Sequence, residues 1–232
     1  MIEINNLNKN YGKLKAVDNL NMQCQPGKIT ILLGENGAGK STTIKSIANL
    51  LDFKGSIKIC GYDNDTIEAK KSFSYVPEVP MLYDLLTVDE HLKFIASAYN
   101  IQNAEDIIDK YLKLFKIENK RKAMAKELSK GMKQKVSMIL ALITNPKAIL
   151  IDEPMIGLDP SSIEDTLEIF KQLKSENVAV LISTHIIDIV EDIYDEAYIL
   201  DHGKMIKHVI KSDLTDESLK TIFFEMIKGD NA

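Results

Sequence analysis

The chain has 232 residues, 45% of them hydrophobic and 27% charged, with a formal net charge of −5. That length suits one large domain or a core with a subdomain, and the composition excludes a disordered tail, a collagen-like repeat and a coiled-coil rod. The negative balance argues against a general nucleic-acid binder or a basic membrane-coating protein.

Two cysteines, Cys24 and Cys60, cannot build a disulfide framework and fit a reducing compartment. The opening residues carry no basic-then-apolar signal segment. The longest apolar stretch, around Val136 to Ile143, is less than half of a membrane span. These features predict a cytosolic chain that meets a membrane only through a partner.

In chain order, residues 2–30 and 55–62 read as short alternating strands with turns at Tyr11-Gly12 and Pro26-Gly27. They predict a small antiparallel sheet flanking the core. Four apolar, β-branched runs, Ile29–Leu33, Phe73–Val76, Ala148–Ile151 and Val178–Ser183, lack alternation and suit strands buried on both faces of a parallel sheet. A helical run covers Thr42–Leu51. Another covers Thr87–Tyr99, with Val88, Leu92, Ile95 and Tyr99 on one face and a Thr87–Glu90 capping-box pattern at its start.

Residues 87–145 read as wholly helical, an insertion carried on an α/β core formed by 1–86 and 146–210. A hairpin turn at Asp201-His202-Gly203-Lys204 precedes a C-terminal stretch, 211–232, read as a helix packed on its own domain through Leu219, Ile222, Phe223 and Met226.

Residues 34–42 carry a full G-x-x-x-x-G-K-S pattern between a strand and a helix. Gly34, Gly37 and Gly39 let the backbone turn tightly, so that N–H groups of a loop including Glu35, Asn36 and Ala38 point inward at a β-phosphate. The following helix begins with unsatisfied N–H groups that favour an anion. Lys40 reaches the β- and γ-phosphates, the Ser41 hydroxyl suits Mg²⁺, and Thr42 completes the motif. A chance glycine turn does not account for the strand, loop and helix together. This is a nucleoside-triphosphate site.

A second acidic cluster follows Ala148–Ile151. Asp152 and Glu153 stand at the C-terminal end of a strand, where ligands of parallel sheets bind. Asp152 is expected to hold the Mg²⁺ hydration shell and Glu153 to orient and deprotonate the attacking water.

These motifs together resemble the nucleotide-binding subunit of ATP-binding cassette (ABC) transporters, from Tyr11 to about His208. Leu128-Ser129-Lys130-Gly131-Met132, with Ser129 lying 23 residues before Asp152, is similar to the family signature. Gly157-Leu158-Asp159 resembles its D-loop, His185 its switch histidine, and Tyr11 its adenine-stacking aromatic. The resemblance implies a P-loop NTPase fold and MgATP hydrolysis. It also implies a head-to-tail dimer in which Ser129 and Gly131 of one chain face the γ-phosphate bound by the other. A transmembrane permease would be the partner, with the chain peripheral on the cytoplasmic face of the membrane.

Two departures stand out. Glu78 occupies the place of the usual Q-loop glutamine, where a carboxylate can also serve Mg²⁺. Lys130 replaces a signature glycine, adding a positive charge that is expected to offset Glu78. Both resemble the subgroup serving bacterial exporters of peptides, antibiotics and other amphiphiles. A GTPase is disfavoured because Asn119-Lys120-Arg121-Lys122 lacks the base-reading Asp. The remaining alternatives are a soluble cassette ATPase acting on ribosomes or DNA, and a poorly hydrolysing regulator. The lysine-rich stretch 116–135 reads first as a solvated helical face, and its Arg121 is the only arginine of the chain.

Overall fold

The computed structural model describes residues 1–215 and 217–229, with the side chains of residues 228 and 229 left aside. In chain order, β1 (Ile2–Tyr11) and β2 (Leu14–Cys24) form a hairpin, followed by β3 (Ile29–Leu33) and α1 (Lys40–Ile47). Then come β4 (Lys54–Ile59), β5 (Tyr62–Asp63), α2 (Ile67–Ser72) and β6 (Phe73–Val76). Helices α3 (Val88–Ala98), α4 (Ala104–Leu114) and α5 (Lys130–Leu142) precede β7 (Ala148–Asp152) and α6 (Pro160–Ser175). The chain continues through β8 (Ala179–Thr184), α7 (Ile187–Val190), β9 (Glu196–Asp201), β10 (Lys204–Ile210) and α8 (Leu219–Gly229).

Two sheets result. The four-stranded one has the order β2-β1-β4-β5 and is antiparallel throughout. The six-stranded one has the order β10-β9-β3-β8-β7-β6, parallel except where β10 joins β9 as a hairpin. Every residue of β3, β7 and β8 is buried, which is why these segments are apolar without alternation.

Their pleat divides the core into two. Ile29, Ile31, Leu33, Ile149, Ile151, Val180 and Ile182 face one cluster with α5, α6 and α8. Leu32, Leu150 and Leu181 face the other, with α1 and the antiparallel sheet.

Some boundaries differ from the sequence reading. Helix α1 starts at Lys40 rather than Thr42, because Gly39 takes a left-handed N-cap conformation with φ 104°. It stops at Ile47, short of Leu51, where Asn49 turns left-handed and Leu50 N–H donates to the Lys45 carbonyl. The β8 strand is shifted by one residue from the expected Val178–Ser183.

The stretch read as wholly helical contains three helices, two 3₁₀ turns (Glu118–Lys120 and Ala125–Glu127) and a β-bridge between Thr87 and Met124. The expected capping box at Thr87 is present: Glu90 N–H donates to the Thr87 hydroxyl at 3.2 Å, and Thr87 N–H to the Glu90 carboxylate at 2.7 Å.

Arg121 closes this helical region rather than standing free on it. Its guanidinium binds Asp89 of α3 at 2.6 Å and also pairs with Glu105 and Asp109 of α4. Burial pushes the Asp89 carboxyl up, but hydrogen bonds from Lys93 and Arg121 outweigh it and hold the group below its usual range. A lowered folded-state pKa contributes stability above the unfolded-state value and loses it as pH falls through the folded one. Arg121→Ala is therefore expected to cost on the order of 1 kcal/mol at neutral pH, since its partners are part-exposed. The deficit should shrink in acid, as seen by thermal melts between neutral and acidic pH.

At the C-terminus, Leu219, Ile222 and Phe223 are buried and Met226 packs against them. The Glu191 carboxylate accepts the N–H groups of Leu219 and Lys220 at 2.9 and 3.2 Å, capping α8 onto its own domain. The part of the expected helix at 230–232 lies outside the described residues.

Candidate nucleotide site

The loop between β3 and α1 is shaped by its glycines. A Cβ on Gly34 would stand 2.5 Å from the Leu200 carbonyl oxygen, and one on Gly39 would stand 2.5 Å from that of Ala16. Both positions admit only glycine. Gly37 has open space around it but a φ of 89°, so its requirement is conformational.

Lys40 leaves the first turn of α1 and folds back over the loop. Its Nζ donates to the carbonyls of Gly34 and Glu35 at 2.8 and 3.1 Å and lies 3.3 Å from Glu153 Oε1. On the facing strand end, Asp152 Oδ1 accepts hydrogen bonds from the Ser41 hydroxyl at 3.0 Å and the Ser183 hydroxyl at 2.5 Å. Ser183 also accepts the Glu153 N–H at 3.1 Å through its hydroxyl.

Glu153 is buried and held at a φ of 46°, a left-handed backbone that non-glycine residues seldom adopt. One carboxylate oxygen, Oε1, contacts both Lys40 and His185 Nδ1, the latter at 3.0 Å. The other, Oε2, is buried with no hydrogen-bond partner among the described residues. A buried carboxylate oxygen without a donor is costly unless something else, such as a substrate water, supplies one.

Gly37, Gly39, Lys40, Ser41, Glu153 and His185 line one cavity of about 400 Å³ with Asn36, Tyr11, Leu14, Lys15, Ala16, Thr42, Glu78, Ile156 and His202, and Asp152 lies just behind Ser41. Tyr11 ends β1, with its ring about half exposed and the Lys9 ammonium 5.2 Å from its centroid. Glu78 lies in the same cavity. Together with Asp152 it adds to the burial that pushes the Tyr75 hydroxyl up to about 12.

Ser41, Asp152 and Glu78 offer only oxygen, the donor type Mg²⁺ prefers, but only Ser41 and Asp152 are in contact. Among the described residues no group of three acidic, His or Cys side chains could hold a metal by itself. That fits a cation which binds one or two protein oxygens and takes the rest from phosphates and water.

Ser129, Gly131 and Asp159 stand apart from this cavity. Ser129 caps α5, accepting Met132 N–H at 3.3 Å. Asp159 caps α6, accepting Ser162 N–H and O–H at 3.0 and 2.7 Å, bonds that hold its carboxyl below the usual range. The two caps are neighbours: a Cβ on Gly131 would lie 3.5 Å from Leu158, and the Lys130 side chain packs over Gly157. Within one chain, Lys130 therefore lies against the Gly157 loop.

The chain matches the family model for ABC transporters over residues 17–156, more than half its length. The chain belongs to the ABC transporter family.

Among its relatives is the ABC-type transporter ATP-binding protein EcsA of Bacillus subtilis (strain 168), 36% identical over 99% of this chain and 98% of that protein. Another is the lantibiotic transport ATP-binding protein SrtF of Streptococcus pyogenes, 36% identical over 89% of each chain. Among solved structures, an ATP-binding subunit of an ABC transporter superposes with a TM-score of 0.91 at 34% identity, covering 98% of this chain and 99% of that one. The ATP-binding cassette MJ0796, a dimer in a post-hydrolysis state with ADP and Pi, gives 0.82 at 25% identity, covering 90% and 98%.

The ABC fold and the role of ATP-binding, ATP-hydrolysing transporter subunit are thereby established for this cassette. Among the described residues no helix is long and apolar enough to cross a membrane.

The motifs led to most of the cavity, but not to Leu14, Lys15, Ala16, Ile156 or His202, nor to Ser183, which lies behind it and holds Asp152 and Glu153. Ser183 had a signal, a hydroxyl on the strand beside the acidic pair. Lys15 and His202 reach the cavity only because β2 and the β9–β10 hairpin fold over the loop.

Proposed function

We propose that this cassette powers export of an amphiphilic cargo by closing as a dimer around two MgATP. The observation that supports it best is the meeting of Lys40, Glu153 and His185 at one point of the phosphate loop. Lys40 and the loop N–H groups bind the β- and γ-phosphates, and Tyr11 carries the adenine. Ser41 and Asp152, with Glu78 nearby, would hold Mg²⁺, which supplies charge neutralisation on the phosphates.

The Glu153 carboxylate takes a proton from water as the water oxygen attacks the γ-phosphorus. The bond to the β-phosphate oxygen then breaks, giving ADP and inorganic phosphate. His185 holds Oε1 through Nδ1, and its Nε2, with no hydrogen bond among the described residues, is available to the γ-phosphate. Ser129 and Gly131 of a second copy would complete the site.

Likeness to a lantibiotic transport protein supports an amphiphilic cargo, and likeness to a dimeric cassette supports the paired state. A permease partner accords with the exposed apolar residues Val79, Met81 and Leu85 beside Glu78, and with the adjoining groove between β6, α3 and α5. This would place the cassette on the inner face of the membrane.

Tagged Glu153→Gln protein with MgATP, used as bait in detergent-solubilised cells, should retain a stoichiometric multi-span membrane protein. Ribosomal proteins or DNA in its place, with no membrane protein, would overturn the proposed permease partner.

A further inference from the structure

The β9–β10 hairpin tip sits on the nucleotide cavity, and its histidine has no role in the fold. The tip is a two-residue loop, His202-Gly203, with φ 42° and 81°, the positive pair that favours Asn-Gly. Gly203 is required there: a Cβ would lie 2.9 Å from the carbonyl oxygens of both Lys15 and Ala16. Its N–H donates to the Ala38 carbonyl at 3.1 Å, and its carbonyl accepts the Asp18 N–H at 2.8 Å. The tip is thus bolted between the phosphate loop and β2.

His202 gains nothing from this arrangement. Its ring is 94% exposed, and among the described residues it makes no hydrogen bond; Asp201 Oδ1 lies 3.9 Å from Nε2, beyond hydrogen-bond length. Yet it lines the cavity, and the adjoining Gly203 packs on the carbonyls of Lys15 and Ala16, which line the same cavity with Tyr11.

We propose that His202 is a nucleotide-binding residue that contacts the ribose and base of ATP, on the same side of the cavity as Tyr11. An imidazole held on a rigid tip carries a flat face and two ring nitrogens, suited to a purine or a ribose hydroxyl. The pinned backbone keeps the cost of ordering it low. This inference rests on the cavity being the ATP site.

The test compares binding of ATP with binding of inorganic tripolyphosphate, which has neither ribose nor base, to wild type, Lys40→Ala and His202→Asn. Asparagine suits the left-handed turn position, so the fold is preserved. Lys40→Ala should weaken both ligands. His202→Asn should weaken ATP roughly threefold to tenfold, the value of one or two modest contacts, and leave tripolyphosphate within about twofold. Unchanged ATP affinity in His202→Asn, or an equal loss for both ligands, would overturn the role of His202. Unweakened ATP binding by Lys40→Ala would instead overturn the site itself, and this inference with it.

Discussion

Glu153→Gln should lower steady-state ATP hydrolysis by about 10²- to 10⁴-fold, the usual contribution of a positioned general base. The amide preserves the shape of the side chain and can still meet His185 Nδ1 and Lys40 by exchanging one contact for another. It cannot take the proton from water. The substitution leaves Lys40 and its bonds to the phosphate loop in place, so the loss falls on the chemical step rather than on nucleotide affinity. Single-turnover hydrolysis alongside equilibrium binding separates the two. Retained turnover with intact binding would remove Glu153 from the reaction.

Gly39→Ala should disable the loop without touching a charged group. The residue has φ 104°, and a methyl group there would lie 2.5 Å from the Ala16 carbonyl oxygen, which is backbone and has little room to move. The positive φ alone costs about 1–3 kcal/mol, and relief of the clash displaces the first N–H groups of α1. Each hydrogen bond lost to a charged phosphate is worth about 1.5–3 kcal/mol. ATP affinity should therefore fall roughly ten- to a hundredfold, with a lowered Tm in the absence of nucleotide. Gly37→Ala is the informative companion. Gly37 shares the positive φ but has open space, so the difference between the two variants isolates the contact with Ala16.

The legibility of the molecule follows from where its information is local. The strands of the parallel sheet are written as unbroken apolar runs because both their faces are covered, and the phosphate loop is written as glycines at fixed spacing. Short-range rules also reach the Thr87 cap and the α8 face.

The strand order was not legible, since nothing in Ile29–Leu33 says that β8 and β9 flank it. Nor was the work of Arg121, whose three acidic partners lie 12 to 32 residues away in α3 and α4. The left-handed backbone of Glu153 has no residue-type signature, because a glutamate is not the usual choice for it. His202 reads from sequence only as a turn residue. Its place at the cavity depends on Gly203 meeting the Ala16 carbonyl across nearly the whole length of the chain.

The central claim is that two cassettes complete each other's sites, with Ser129 and Gly131 of one chain facing the phosphates of the other. The molar mass of Glu153→Gln protein measured by light scattering, with and without MgATP, tests it most directly. The account predicts a species at the chain mass of 26.1 kDa without nucleotide, a species of twice that mass with MgATP, and no such shift when Ser129→Arg is added. A Glu153→Gln protein that binds MgATP fully yet stays at the single-chain mass would contradict it.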